Sequence, residues 1–169
     1  CARILPKALN CEKNVTDCCN RCESCRTISE SSGNYMEYNC AHAGGVAGVR
    51  DLQDSLHYSF ATGYRVVCFD EIHLISEEAQ GALLNAIETA PPDLFFVFCT
   101  TNPENVLTTL KSRSIELEFS QLPDESLKSL LRGISEREGF TFSSDIFDRI
   151  ARNASGDIRS ATNYLEEAM

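Results

Sequence analysis

No apolar run in this chain approaches the roughly 18 residues that a membrane-spanning helix needs, and no signal-peptide pattern opens it. Basic side chains are scarce: 15 Lys and Arg stand against 25 Asp and Glu, for a net charge of -10. Nonspecific affinity for nucleic acid rests on a surplus of cations, so the composition speaks against an isolated DNA-binding domain and leaves room for contact with DNA inside a larger assembly. There is no internal repeat and no low-complexity segment. Nowhere in the 169 residues is there a G-x4-G-K-[ST] phosphate loop. Nine cysteines are too few for a small secreted disulfide scaffold of this length. A reducing cytoplasm is the expected location.

What the chain does have is cysteine in one place. Five of the nine fall within "NCEKNVTDCCNRCESC", Asn10 to Cys25. Cys19, Cys22 and Cys25 form C-x2-C-x2-C, and Cys11 lies upstream. Thiolates at this spacing converge on a single ion, and four complete a closed tetrahedral zinc site with no position left for water, hence a structural one. An iron–sulfur site uses similar spacing, but its runs usually continue to a further Cys and Pro, which are missing here. Disulfides or unliganded thiols are the remaining alternatives. Cys18 competes with Cys19 as ligand, and the two-residue regularity favours Cys19. Of the single cysteines Cys1, Cys40, Cys68 and Cys99, two sit in apolar runs and read as small core residues.

Along the chain, "CARILPKALN" has helical spacing with Pro6 inside it, so the proline must kink a helix or lie in its first turn. "YMEYNC" is a short strand pattern, "AGGVAG" a Gly-rich loop, and Val49 to Ser59 an amphipathic helix. "RVVCFDE" is a near-continuous apolar run closing in two acids, the pattern of a strand buried on both faces. Ser76 then caps a helix with Glu77 and Glu78 in its first turn, and this helix stops before Pro91. "LFFVFCTT" predicts a second buried strand. Pro103 and Glu104 open a short helix running toward Arg113, and "IELEF" predicts a third, alternating strand. Strands separated by helices predict a parallel α/β sheet. From Leu122 onward three helices are expected: one around Leu127, Leu131 and Ile134 ended by Gly139, a second around Phe147 and Ile150, a third around Ala161 and Leu165.

At the carboxyl end of a central parallel strand, Asp70 and Glu71 face the crevice where such sheets bind ligands. Asp70 suits a water-mediated hold on Mg2+ and Glu71 the polarising of an attacking water, the acidic half of a nucleotide-hydrolysis site. Alone, the pattern fits better a strand that simply ends in two solvated acids, which is common. Thr100, Thr101 and Asn102 end the next strand beside them. His42 and His73 show no partner ligands and read as structural.

Taken in order, "ARILPKALNC", the cysteines, "VVCFDEIHLIS", "ALLNAIETAPPDLFFVFCTTNPENVLTTLKSRS" and "SGDIRSATNYLEEA" resemble the bacterial clamp-loader family of AAA+ ATPases, subunits of the gamma/tau type above all. The resemblance runs over essentially the whole chain. It implies a partial AAA+ parallel α/β sheet over residues 1–121, with a zinc module at 11–25, and a three-helix lid domain over 122–169. It makes Asp70 and Glu71 the Walker B pair and Thr101 the sensor 1 residue. Arg113 becomes a finger that completes a neighbouring subunit's ATP site, and Arg159 the nucleotide-contacting sensor 2 arginine. Implied with these are structural Zn2+ at Cys11, Cys19, Cys22 and Cys25, ATP and Mg2+ in the intact subunit, and as partners the other clamp-loader subunits, the sliding clamp and primed DNA. Membrane is not implied.

The chain departs from the family at Ser114, where the finger motif has Cys, at Thr89-Ala90 before the paired prolines, and at Pro6. The family's phosphate loop lies directly before the residues matching "ARILPKAL", so this chain is expected to be a fragment that does not bind or hydrolyse ATP by itself. A non-hydrolysing stator of the delta-prime type is the competing reading, and a stand-alone zinc-binding module the third.

Overall fold

The computed structural model describes residues 2–13, 17–29, 34–42, 48–49 and 63–169. The described residues divide into two compact units, 1–116 and 117–169. The expected Gly-rich loop and the helix over 49–59 lie outside the described residues, apart from Gly48 and Val49.

In the first unit, α1 (Ile4–Leu9) carries Pro6 in its first turn, where the missing N–H costs the helix nothing. Asn10 closes this helix and ties it to the sheet: its amide nitrogen donates to the carbonyls of Pro6 and Tyr64, and its oxygen accepts from the Tyr64 N–H. Gly63 passes under that side chain at φ 90°, so a Cβ there would meet both a steric and a backbone penalty. After α2 (Glu23–Ser29) come three parallel strands, β1 (Tyr35–Asn39), β2 (Arg65–Asp70) and β3 (Leu94–Phe98), in the order β1-β2-β3. Asn39 registers with Asp70, and Phe69 with Phe98.

β2 is the central strand, and Val66, Val67, Cys68 and Phe69 are all buried. Val67 and Phe69 join Ile72, Ile75, Ala79, Leu83 and Leu110 in one core. α3 (Glu77–Glu88) packs into it and starts as expected, with the Ala79 N–H donating to the Ser76 hydroxyl. Gln80 is the polar exception. It is 1% exposed, donates to the carbonyls of Ile75 and Asn105, and accepts from the Leu107 N–H. Gln80→Leu leaves those three backbone groups unpaired and is expected to lower stability by about 3 kcal/mol, read as a reduced urea midpoint.

Two expectations need correction. β3 is only half-buried, with Phe95 37% exposed, because it has a neighbour on one side alone among the described residues. "IELEF" is not a strand. Ile115, Leu117 and Phe119 do alternate, but they are 90%, 74% and 70% exposed, and no described strand lies alongside to take their backbone groups. Alternation supplies a strand's pattern; pairing has to supply the rest. The connection after β3 also differs in detail: a single 3-10 turn at Pro103–Asn105 and a short α4 (Thr108–Lys111) replace one continuous helix.

The second unit is three helices, α5 (Asp124–Arg137), α6 (Ser144–Ala154) and α7 (Ile158–Ala168). Leu127, Leu131, Phe147, Ile150, Ala151, Ala161 and Leu165 make its core. Gly139, at φ 79°, ends α5, and the buried Ser135 hydroxyl donates to the Phe140 carbonyl just beyond.

Candidate functional site

The tips of β2 and β3 are laced together by backbone. The Cys99 N–H donates to the Phe69 carbonyl at 2.9 Å, and the Ile72 N–H to the Cys99 carbonyl at 3.0 Å. Between them Glu71 turns in the left-handed region, at φ 55° and ψ 49°. A residue with a side chain holds that conformation at a cost of about 1–3 kcal/mol, and such strain clusters where a side chain must be aimed. The consequence is that Glu71 leaves the strand toward β3. Its Oε2 accepts from the Thr101 hydroxyl at 3.4 Å and lies 3.3 Å from Nδ1 of His73. Asp70, half-buried at the strand end, sits beside it. Burial pushes the neighbouring Cys40 thiol up to about 11, and the charges of Asp70 and Glu71 add to the effect. Glu71 and Thr101 therefore meet at the carboxyl end of the sheet, with Asp70 at the tip of β2 directly before Glu71 in the chain.

Arg113 is exposed at the end of α4. Its guanidinium donates to Glu88 Oε1 at 2.9 and 3.0 Å and to the Thr109 carbonyl at 3.2 Å. Arg159 belongs to the second unit and stands exposed in the first turn of α7. That turn is fixed by Asp157, whose carboxylate accepts from the Ser160 N–H at 2.8 Å and is held below the usual range by the Ser160 side chain and then by that N–H.

The cysteine segment makes a second centre. The sulfurs of Cys11, Cys19, Cys22 and Cys25 all lie within 4.8 Å of one another. Tetrahedral thiolates at about 2.3 Å from a zinc ion stand about 3.8 Å apart, and Cys19 and Cys25 are at 4.0 Å. The described cysteines are free thiols, so disulfides do not account for the cluster. Backbone N–H groups of Arg21 and Cys22 lower the Cys19 thiol to about 6, while burial pushes Cys25 up to about 12. Cys18 turns its sulfur to the Asn20 side chain, 3.6 Å away, and is not one of the four. The donor set fits a thiophilic metal ion.

One residue of the first centre, His73, and one buried in α3, Gln80, carry no functional signal in the sequence. His73 was read as structural, yet its ring is 11% exposed and touches both Glu71 and Thr100. Gln80 gave no signal beyond its place in an otherwise amphipathic helix.

A parallel sheet with paired acids at the end of its central strand, followed by a compact helical unit, is the arrangement of an AAA+-type fold. The RuvB Holliday junction branch migration motor of Thermotoga maritima has the same fold, with a TM-score of 0.67 at 19% identity over 85% of this chain and 47% of that one. A DNA polymerase III gamma subunit-related protein of T. maritima matches with a TM-score of 0.61 at 18% identity, covering 84% of this chain and 46% of that one. The family profile described as DNA polymerase III, delta subunit, matches residues 1–123, and the one described as RCF1/5-like AAA+ ATPase lid domain matches residues 129–169. The chain belongs to this DNA polymerase III clamp-loader family. Its curated relatives include the gamma/tau subunit of Mycobacterium tuberculosis, 34% identical over 99% of this chain and 30% of the relative. The gamma subunit of Buchnera aphidicola is 30% identical over 99% of this chain and 47% of its own length. The tau subunit of Escherichia coli is 31% identical over 99% and 27%. The chain thus spans less than half of each of these relatives.

Proposed function

We propose that this chain is the ATP-handling part of a gamma/tau-type clamp-loader subunit, in which ATP binding and hydrolysis drive loading of the ring-shaped sliding clamp onto primed DNA. The observation that carries the reading is the cluster at the sheet's carboxyl end: Asp70 and Glu71 on the buried central strand, with the Thr101 hydroxyl on Glu71. Asp70 would hold Mg2+ through water, which supplies charge neutralisation at the phosphates. Glu71 would orient and polarise the attacking water, and Thr101 would tie that carboxylate to the tip of β3. Arg159 would contact the nucleotide from a lid domain taken as 122–169, with 1–121 as the nucleotide-binding domain. Arg113 would act in trans on a neighbouring subunit. Cys11, Cys19, Cys22 and Cys25 would hold a structural Zn2+. The setting is the cytoplasm, within an assembly of clamp-loader subunits.

The delta-prime-type stator remains the second reading, since the family profile is one of delta-type subunits. The complete acidic pair and the lid arginine favour the motor, because a stator has no use for hydrolytic groups. In the full-length protein, Glu71→Gln is expected to leave ATP binding within about twofold and to slow turnover about 100-fold, as loss of a general base does. Wild-type turnover in the variant would remove the catalytic role. A full-length wild-type protein that neither binds nor hydrolyses ATP would make the chain a stator.

A further inference from the structure

Resting on the reading of Glu71 as the water-activating group, we propose that His73 is a positioning residue that sets where the Glu71 carboxylate stands and couples it to the end of β3. The ring lies in the 3-10 turn Ile72–Leu74, directly after the left-handed Glu71. Its Nδ1 has two oxygen neighbours, Thr100 Oγ1 at 2.9 Å and Glu71 Oε2 at 3.3 Å. A lone pair on Nδ1 would face the carboxylate with repulsion, so the proton sits on Nδ1: it is donated to Thr100 Oγ1, and its positive end lies 3.3 Å from Glu71 Oε2. Thr100 Oγ1 also accepts from the Asn102 N–H at 3.0 Å, which fixes that hydroxyl within the loop after β3. Glu71 Oε2 in turn takes the Thr101 hydroxyl. Two successive threonines on one strand end thus reach the same carboxylate, Thr101 directly and Thr100 through the imidazole. A glutamate has three rotatable bonds, and a single hydroxyl at 3.4 Å does not restrain them. The ring, 11% exposed and hydrogen-bonded to Thr100, adds the second contact on the same oxygen. A shift of the Thr100–Thr101 segment is passed to Glu71 by both routes, so the base moves with β3 instead of swinging freely at the mouth of the site.

The test is made in the full-length protein, with steady-state ATP hydrolysis and with imidazole nitrogen spectra of the histidine-labelled protein. His73→Leu is expected to lower kcat about tenfold with the KM for ATP within about twofold, because binding of nucleotide does not use the ring. His73→Asn, whose amide N–H stands close to the place of Nδ1–H, is expected to recover kcat to within about threefold. The spectra are expected to show Nδ1 protonated in His73 and its signal displaced in Glu71→Gln. Wild-type kcat in His73→Leu overturns the proposal, as does equal loss in His73→Asn or a His73 signal indifferent to Glu71→Gln. If Glu71→Gln itself turns over ATP normally, the reading of Glu71 fails and takes this inference with it. If Glu71→Gln is inactive and His73→Leu is not impaired, the role of His73 alone is refuted.

Discussion

Arg113→Ala is expected to cut ATP turnover of the assembled complex by about 10^3-fold or more while leaving ATP affinity within about twofold. An arginine supplied across a subunit boundary stabilises charge on the transferred phosphoryl group and is worth about 10^3 to 10^5 in rate in other NTPases. The local structure suits that use. Arg113 follows the cap of a four-residue helix, is exposed, and rests its guanidinium on Glu88 and on the Thr109 carbonyl. An exposed ion pair of this kind contributes about 0–1 kcal/mol, so a phosphate offering more charge displaces it readily. The carboxylate keeps the planar fork extended and solvated without locking it. Glu88→Gln should therefore change turnover by less than about fivefold, whereas Arg113→Lys should fail nearly as badly as alanine, because a point charge does not reproduce the fork. The measurement is clamp- and DNA-stimulated ATP hydrolysis by the reconstituted complex. Unchanged turnover in Arg113→Ala would refute the finger role.

The features legible in the sequence were those whose signal is local. Cysteine spacing, the capping Ser76, the helix-ending Gly139 and the apolar run that closes in Asp70 and Glu71 each announce themselves within a few residues. The contacts that needed the fold were not legible. His73 lies two residues from Glu71 in sequence, yet its role depends on Thr100, which is brought there only by parallel pairing of β2 and β3. Gln80 looks like any polar helix residue until the turn at Ile75 and the connection at 105–107 are seen to close over it. The failure at 115–119 has the opposite origin. There the local pattern was clear and true, and the missing quantity was a neighbour, which no alternation of side chains can provide.

Removing metal from the cysteine centre is the other change with a large expected effect. Among the described residues of this segment the buried cluster is made of the cysteines themselves: Cys11, Cys22 and Cys25, with Cys18 and Cys19 packed against them. Four neutral thiols attract one another weakly, and four thiolates repel. A structural zinc ion contributes about 10 kcal/mol or more in small domains, comparable to the whole stability of an ordinary one. Metal analysis of the full-length protein is accordingly expected to find one zinc per chain. Cys22→Ser should bring that below about 0.2, and Cys18→Ser, which alters a sulfur outside the four, should leave it unchanged. Equal zinc in Cys22→Ser and wild type would sink the assignment; loss in Cys18→Ser would move it to the neighbouring residue. The damage should not stay in the segment. Cys25 Sγ lies 3.9 Å from the Lys7 carbonyl, and Asn10, beside Cys11, holds both the end of α1 and the backbone that leads into β2. A chelator is therefore expected to expose α1 to hydrogen exchange and to open Lys13, Arg21 and Arg26 to trypsin, while the buried strand carrying Asp70 keeps its protection. An ion held there would in this way support the start of the acidic strand, and the protection of β2 after chelation is the readout that separates such support from a part in the chemistry.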